Sequence, residues 1–147
     1  MPDPLKTTQI AFYVGQSSSL QARLRLVCKL VEKAYAQQLA TYIYTDNPAT
    51  TELLDDLLWT YQEISFIPHS TLPCNDTATF ILLGHTAPRE IESKFLINIS
   101  NQVPYFIDQF ERLAEVLDQE ETILRAGRDR YQIYSKQGYT LTYHLLR

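Results

Sequence analysis

The sequence predicts an α/β protein with a mainly parallel central sheet flanked by helices. Short β-branched and aromatic runs alternate with segments whose apolar residues recur at three- and four-residue helical steps. Strands that alternate with helices pair in parallel, and helices then cover both faces of the sheet. No internal repeat or low-complexity tract divides the 147 residues. We therefore predict a single Rossmann-like, three-layer domain over residues 1–147.

The first half of the chain predicts two strands and two helices. QIAFYV at 9–14 and TYIYT at 41–45 are the strands. Ser18 and the glutamine three residues later have the spacing of a capping box, which begins a helix that runs to about residue 38. Asn47, followed by proline at the first helical position, begins the next helix. The predicted buried side of that helix consists of four leucines, Leu53, Leu54, Leu57 and Leu58.

The second half predicts further strands and one long helix. ISFIPHS at 64–70 is expected to be irregular, because Pro68 removes a backbone donor. A helix is expected within FIDQFERLAEVLD, and the last helix runs from about Gln119 to Gln137, where Gly138 ends it in the left-handed conformation. The strands are predicted at 80–84, at 95–100 and near Glu115–Leu117.

Composition and terminal sequence indicate a cytoplasmic protein without a membrane partner. No apolar run approaches the roughly 20 residues of a membrane span, and MPDPLKTTQI lacks the basic-then-apolar order of a secretory signal. The two cysteines, Cys28 and Cys74, have no metal-ligand spacing. Cys28 falls in a helical apolar stripe and is predicted to be a buried free thiol, which suits a reducing compartment.

Residues typical of catalysis form no recognisable constellation. Gly15, after the first strand, stands alone where phosphate binding needs several glycines or a glycine-rich turn with lysine. The serines at 17–19 lack the flanking glycines of a nucleophile elbow. The histidines, His69, His85 and His144, are dispersed, and local hydrogen bonding or surface exposure accounts for them. We predict no catalytic residue, no metal and no cofactor.

The last helix combines cations with tyrosines in a chain whose net charge is −4. Residues 123–147 carry five cationic side chains against the single carboxylate of Asp129, which leaves room for an anionic ligand. One helix face holds Leu124, Gly127, Tyr131 and Tyr134, and a neighbouring stripe holds Arg125, Arg128 and Gln132. Core tyrosines beside solvated arginines, or a docking site for an acidic partner, would each explain this pattern, and periodicity slightly favours the first.

Trp59 is the only tryptophan and comes just before the irregular segment that contains Phe66 and Ile67. Such residues complete a core, or they anchor an interface. The residues alone leave these two readings balanced.

Taken together, these segments resemble the chi subunit family of bacterial DNA polymerase III holoenzyme. The resemblance covers nearly the whole chain: FYV, LVCKLVEKAY, LLWT…SFIPH, LIN, VPYFIDQFERLAEV and GRDRYQIYSKQGY occur in the family's order and spacing. Chi is a non-catalytic, Rossmann-like accessory of the clamp loader. It pairs with the psi subunit and binds the acidic C-terminal tail of the single-stranded-DNA-binding protein, which ends in phenylalanine.

The resemblance implies two partner sites. Arg128 matches the arginine that pairs with the tail's terminal carboxylate, Tyr131 and Leu117 match pocket positions, and Gly138 matches the glycine after the helix. Gln132 and Leu124 stand where the family has basic residues, and Arg125 is next to the latter, so we expect weaker attraction for the tail's aspartates. The psi site is implied to comprise Trp59, Phe66 and Ile67.

Two alternatives from other functional classes stay open on the residues. A small nucleotide-binding enzyme would use the junction at Gly15. A direct binder of single-stranded DNA would stack bases on tyrosines beside basic residues. The acidic balance of the chain and the resemblance lead us to expect no direct contact with nucleic acid.

Overall fold

The computed structural model describes residues 7–61, 67–72, 79–88 and 93–145. Its strands are β1 Gln9–Val14, β2 Thr41–Tyr44, β3 His69–Thr71, β4 Ile81–Gly84, β5 Phe95–Asn98, β6 Arg112–Leu117 and β7 Thr140–Leu145. Its helices are α1 Leu20–Ala36, α2 Pro48–Thr60 and α3 Glu121–Gln137, with a 3₁₀ turn at Ile107–Gln109. The described strands form one seven-stranded sheet in the order β3-β4-β2-β5-β6-β1-β7, and every pair of neighbours is parallel.

Helices cover both faces of this sheet. Residues of α1 and α2 share one buried cluster with Ile43 and Val116. Residues of α3 and of the 3₁₀ turn share a second cluster with Phe12 and Tyr42. Since side chains of a strand alternate between its two faces, the two clusters lie on opposite sides. The predicted three-layer α/β fold with a parallel sheet is confirmed.

Most of the residues predicted to cap the helices are confirmed. The Asn47 side chain accepts the Thr50 amide at 2.9 Å, with proline next in the chain. Gly138 adopts φ 91° and ends α3. The cap of α1 was predicted one residue too early: Ser19, not Ser18, is the N-cap, and its hydroxyl accepts the Ala22 amide. Cys28 is a buried free thiol as expected, and burial raises its pKa to about 12.

Three predictions about the elements were wrong. Leu53 is 52% exposed, because the buried stripe of α2 runs through Thr51, Leu54 and Leu58. The helix expected before β6 is only the 3₁₀ turn, and β6 is six residues long because it pairs with β1 and β5 on its two sides. The segment 64–70 is not wholly irregular, since its end enters β3 beside β4; residues 62–66 lie outside the described ranges.

Strand β7 was missed altogether. After Gly138 the chain turns back and pairs with β1 in parallel, with Thr140 opposite Gln9 and Leu145 opposite Val14. Its side chains are mostly exposed, so TLTYHL does not show the clear alternation of apolar and polar residues that identifies a half-buried strand. The strand forms an edge of the described sheet.

A buried ion pair joins the sheet to α3. Glu115 on β6 is 0% exposed and Arg130 on α3 is 3% exposed. Arg130 donates from Nε to Oε2 at 3.1 Å and from Nη2 to Oε1 at 3.0 Å. Oε2 also accepts from the Tyr134 hydroxyl at 2.6 Å and from the Asn98 amide at 3.0 Å. Burial, followed by the charge of Glu115, raises the pKa of Tyr134, so its hydroxyl stays protonated and donates.

We predict that removing one partner of this pair destabilises the protein far more than removing a surface pair on the same helix. Arg130→Met leaves a buried carboxylate without its cation, and we expect a loss of about 3–5 kcal/mol in the free energy of unfolding. Arg125→Met, which breaks an exposed pair with Glu121, should cost less than about 1 kcal/mol.

Urea denaturation of both variants measures the difference. The double variant Glu115→Leu/Arg130→Met should recover most of the loss, because no buried charge remains. Equal destabilisation by Arg130→Met and Arg125→Met would contradict the assigned role of the buried pair.

Candidate functional site

A groove opens on the α3 side of the sheet, between α3 and strand β7. Its cavity volume is about 300 Å³, at the lower end of the range for ligand pockets. Four elements contribute its lining, which consists of Phe12, Leu117, Leu124, Gly127, Arg128, Tyr131, Gln132 and Tyr143. We call this set the α3 groove.

The base of the α3 groove is apolar and buried. Phe12 on β1 is 1% exposed, and Leu117, the last residue of β6, is 3% exposed. Gly127 lies over Leu117: a Cβ at this position would be 2.9 Å from Leu117 Cδ2 and closer still to Cδ1. The glycine in mid-helix, which costs roughly 1 kcal/mol relative to alanine, therefore lets the leucine side chain lie directly beneath α3.

The upper part of the α3 groove is aromatic and cationic. The Tyr131 ring is 38% exposed, and its centroid lies 5.2 Å from that of Phe12 at a tilt of 57°. Tyr143 on β7 is 57% exposed and also lines the groove. Arg128 is exposed at the edge. An aromatic side chain that enters the groove would meet apolar and aromatic surface, while an attached anion would meet a guanidinium.

The cationic end of the sequence provides fewer available charges than its composition indicates. Arg130 is neutralised by buried Glu115, and Arg125 pairs with Glu121 at 3.0 Å. Within the described ranges, Arg128 and Lys136 are the exposed cations of α3 for which the structure shows no carboxylate partner. Arg128 is the one of these two that lines the α3 groove.

The structure brings together four of the six residues predicted for tail binding. Arg128, Tyr131, Leu117 and Gln132 all line the α3 groove. Arg125 and Gly138 do not: the first is held by its ion pair, and the second ends the helix with no atom within 4 Å of a built Cβ. Phe12 and Tyr143 also line the groove, and neither was among the predicted site residues. The alternation in β1 signals that Phe12 is buried, but not that it lies beneath α3.

Of the residues predicted for the second partner, one is exposed, one is buried and one lies outside the described residues. Trp59, near the end of α2, is 58% exposed, and its ring lies 4.2 Å from that of His69. His69 is buried and its Nδ1 is 2.9 Å from the Ile67 carbonyl oxygen, which confirms local hydrogen bonding. Ile67 is 1% exposed and belongs to the core. Phe66 lies outside the described residues.

A separate cleft with two exposed leucines lies between α1 and α2, and Trp59 is not part of its lining. Leu20 at the start of α1 is 39% exposed and Leu53 is 52% exposed. Both line a cleft between the two helices with a cavity volume of about 670 Å³. This surface belongs to the face of the sheet opposite the α3 groove.

The described residues contain no group of three His, Cys, Asp or Glu side chains that could hold a metal ion. No helix in the ranges given above is long and apolar enough to cross a membrane.

The fold and the α3 groove define a class: parallel α/β proteins that carry an aromatic groove with an arginine at its edge. Over residues 7–142 the sequence matches the family described as DNA polymerase III chi subunit, HolC. DNA polymerase III subunit chi of Pseudomonas aeruginosa is 37% identical over 139 residues, covering 95% of this chain and 97% of that protein. The chain therefore belongs to the DNA polymerase III chi subunit family, whose members are accessory subunits of this replication enzyme.

Two matches of lower sequence identity also cover nearly the whole chain. DNA polymerase III subunit chi of Haemophilus influenzae is 22% identical over 139 residues, which cover 93% of this chain and 95% of that protein. The crystal structure of T4 UvsW matches 96% of this chain with a TM-score of 0.69. That match spans 42% of the UvsW chain at 8% identity, so it shows likeness of fold alone.

We predict that Gly127→Ala will not gain the roughly 1 kcal/mol that alanine offers over glycine in a helix. The added Cβ would overlap Leu117, which must rotate into the α3 groove or shift β6 against α3. Urea denaturation gives the stability. Ala126→Gly in the same turn calibrates helix propensity and should lose about 1 kcal/mol. A full gain of about 1 kcal/mol for Gly127→Ala would show that Leu117 is not constrained.

Proposed function

We propose that this chain is a non-catalytic accessory subunit of the DNA polymerase III clamp-loader complex. It acts in the cytoplasm as one domain over residues 1–147, without a cofactor. It bridges the psi subunit and the acidic C-terminal tail of the single-stranded-DNA-binding protein during DNA replication. The observation that carries this proposal is the convergence of Arg128, Tyr131 and Leu117 on one groove.

The chemistry of the α3 groove suits a chain that ends in phenylalanine. Phe12, Leu117 and Tyr131 offer apolar and aromatic surface to the terminal ring. The planar guanidinium of Arg128 lies at the edge of the groove, where it can form a bidentate pair with a carboxylate. Because the ring and the carboxylate belong to the same terminal residue, the groove selects a free C-terminus over an internal phenylalanine.

The upstream aspartates of such a tail would find little further charge along this stripe. Gln132 is neutral and lines the α3 groove, and Leu124 is apolar and lines it too. Arg125 is engaged with Glu121. The affinity of the tail for the α3 groove therefore depends mainly on the terminal residue. Salt reduces this affinity less than it would reduce the affinity of a site with several cations.

The psi subunit takes the Trp59 surface on the opposite face. Trp59 is a large exposed aromatic side chain near the end of α2, and such side chains are typical interface anchors. Ile67 contributes from beneath as a core residue that supports this surface. Because α2 and α3 lie on opposite faces of the sheet, both partners can bind at once.

We predict that a tail peptide with a free C-terminal phenylalanine binds and that its C-terminal amide binds much more weakly. Arg128→Ala should weaken the free-acid peptide by about 1.5–3 kcal/mol, the value of a hydrogen bond to a charged group. Against the amide peptide the same substitution should have little further effect, because the interaction it removes is already lost. Isothermal titration calorimetry of the four combinations gives the coupling energy.

Arg25→Ala is the matched control for this titration. It removes the same exposed charge from α1, on the other side of the sheet, and should leave both peptides unaffected. If acid and amide peptides bind wild type equally well, Arg128 does not pair with the carboxylate and the proposed tail site is wrong.

We predict that Trp59→Ala weakens binding to purified psi by at least about 2 kcal/mol, the usual cost at an interface hot spot. Binding of the tail peptide should be unchanged. Tyr105→Ala removes another highly exposed aromatic side chain and should leave psi affinity intact. Surface plasmon resonance with both ligands separates the sites, and loss of both ligands through Trp59→Ala would refute two independent sites.

A further inference from the structure

A second groove follows α1 on the face of the sheet opposite the α3 groove. Here α1 lies over β6, and β7, at the edge of the described sheet, has mostly exposed side chains. Two adjoining cavities, of about 270 and 530 Å³, share Tyr13, Leu30 and Lys33 in their linings. The sheet side of this surface carries Tyr13, Thr140, Thr142 and His144. We call it the α1 groove.

A row of cations runs along the helical side of the α1 groove. Arg25, Lys29 and Lys33 follow one another at four-residue steps, all exposed and all lining the groove. In the described part of the chain none of them has an ion pair with a carboxylate. Like charges at this spacing destabilise a helix, so the row works against the stability of α1. An anionic ligand bound along the row would relieve this repulsion.

The remaining charges of the α1 groove do not cancel this row. Arg112 at the far end contacts only a neutral partner, the Gln37 side chain at 3.5 Å. Asp118 is the one carboxylate in the linings described, and Arg23 lies opposite it with 3.8 Å between Nε and Oδ2. Arg23 is 9% exposed, and its Nε has no hydrogen-bond partner. The α1 groove therefore has an excess of cationic charge in a chain that is acidic overall.

A pair of stacked rings lies on the sheet side of the α1 groove. Tyr13 and His144 are direct neighbours across β1 and β7. Their ring centroids are 4.9 Å apart and the rings are tilted by only 14°. His144 is exposed and Tyr13 is half-buried. Stacked aromatic rings beside a row of cations are the elements with which proteins bind single-stranded nucleic acids.

We propose that the α1 groove binds single-stranded nucleic acid without sequence preference. Phosphates lie along Arg25, Lys29 and Lys33, and a base extends the stack of Tyr13 and His144. The row of cations along α1 beside a stacked ring pair favours a polyanion that carries planar bases over an acidic polypeptide, which has charge but no bases to stack. The site is separate from the α3 groove and goes beyond the bridging role proposed above. It also reverses the expectation of no direct contact with nucleic acid, which followed from the net charge of the chain and did not consider the local row of cations on α1.

Binding is expected to be weak and strongly dependent on salt. The net charge of −4 repels a polyanion at long range, while the cation row attracts it locally. The site thus contributes when another protein has already brought the strand close. This is consistent with membership of a replication family.

The test is fluorescence anisotropy of labelled oligothymidylate with the full chain over a series of salt concentrations. Lys29→Ala/Lys33→Ala should weaken binding by at least tenfold and lower the slope of log K against log salt by roughly 1.4, since each phosphate contact contributes about 0.7. Tyr13→Leu should weaken binding by about fivefold or more without changing that slope. Arg128→Ala/Lys136→Ala removes the same charge from the opposite face and should change binding less than twofold.

The possible outcomes separate this site from the tail site and from a protein ligand. Equal losses for the two double variants, or no binding by wild type at low salt, overturn the proposal. Displacement of the oligonucleotide by polyglutamate at matched charge, together with no effect of Tyr13→Leu, assigns the groove to an acidic polypeptide instead. The tail-peptide titration uses other residues, so its failure leaves this result unaffected.

Discussion

The carboxylate of Glu115 is the constraint on which the arrangement of the α3 face depends. It lies wholly buried in an interior strand and is surrounded by three donor side chains from two elements: Asn98 of β5, and Arg130 and Tyr134 of α3. A buried charge is tolerated only when its hydrogen bonds are satisfied. Any rotation of α3 that moved Arg130 or Tyr134 away would leave the charge uncompensated. The rotation of α3 about its own axis is therefore fixed relative to the sheet.

The fixed rotation of α3 determines which of its residues line the α3 groove. With Arg130 and Tyr134 directed inwards, Gly127 one turn earlier lies over Leu117, while Arg128 and Tyr131 emerge along the side that faces β7. Arg130 Nη1 is buried without a hydrogen-bond partner, so the anchor is not optimal for stability. A polar anchor has directional bonds that an apolar contact lacks, and this fixes the rotation of the helix at some cost in free energy.

The parts of this structure that follow from local chemistry could be predicted from sequence. The Asn47 cap, the end of α3 at Gly138 and strand β1 depend on neighbouring residues, and each is confirmed. Parts that depend on the order of strands could not. Whether Arg130 faces water or a carboxylate is decided by which strand lies beneath α3. Likewise, β7 has mostly exposed side chains and is a strand because β1 offers it a free edge.

The pairing of β1 with β7 has a consequence for how the protein is made. β1 is flanked by β6 and β7, which both come much later in the chain, so β1 acquires neither neighbour until the segment from Arg112 onwards has been made. Contacts of such long range slow folding and prolong the exposure of unpaired strand edges. Phe12 and Tyr143, one from each end of the sequence, both line the α3 groove. A chain that lacks β7 thus lacks a complete α3 groove.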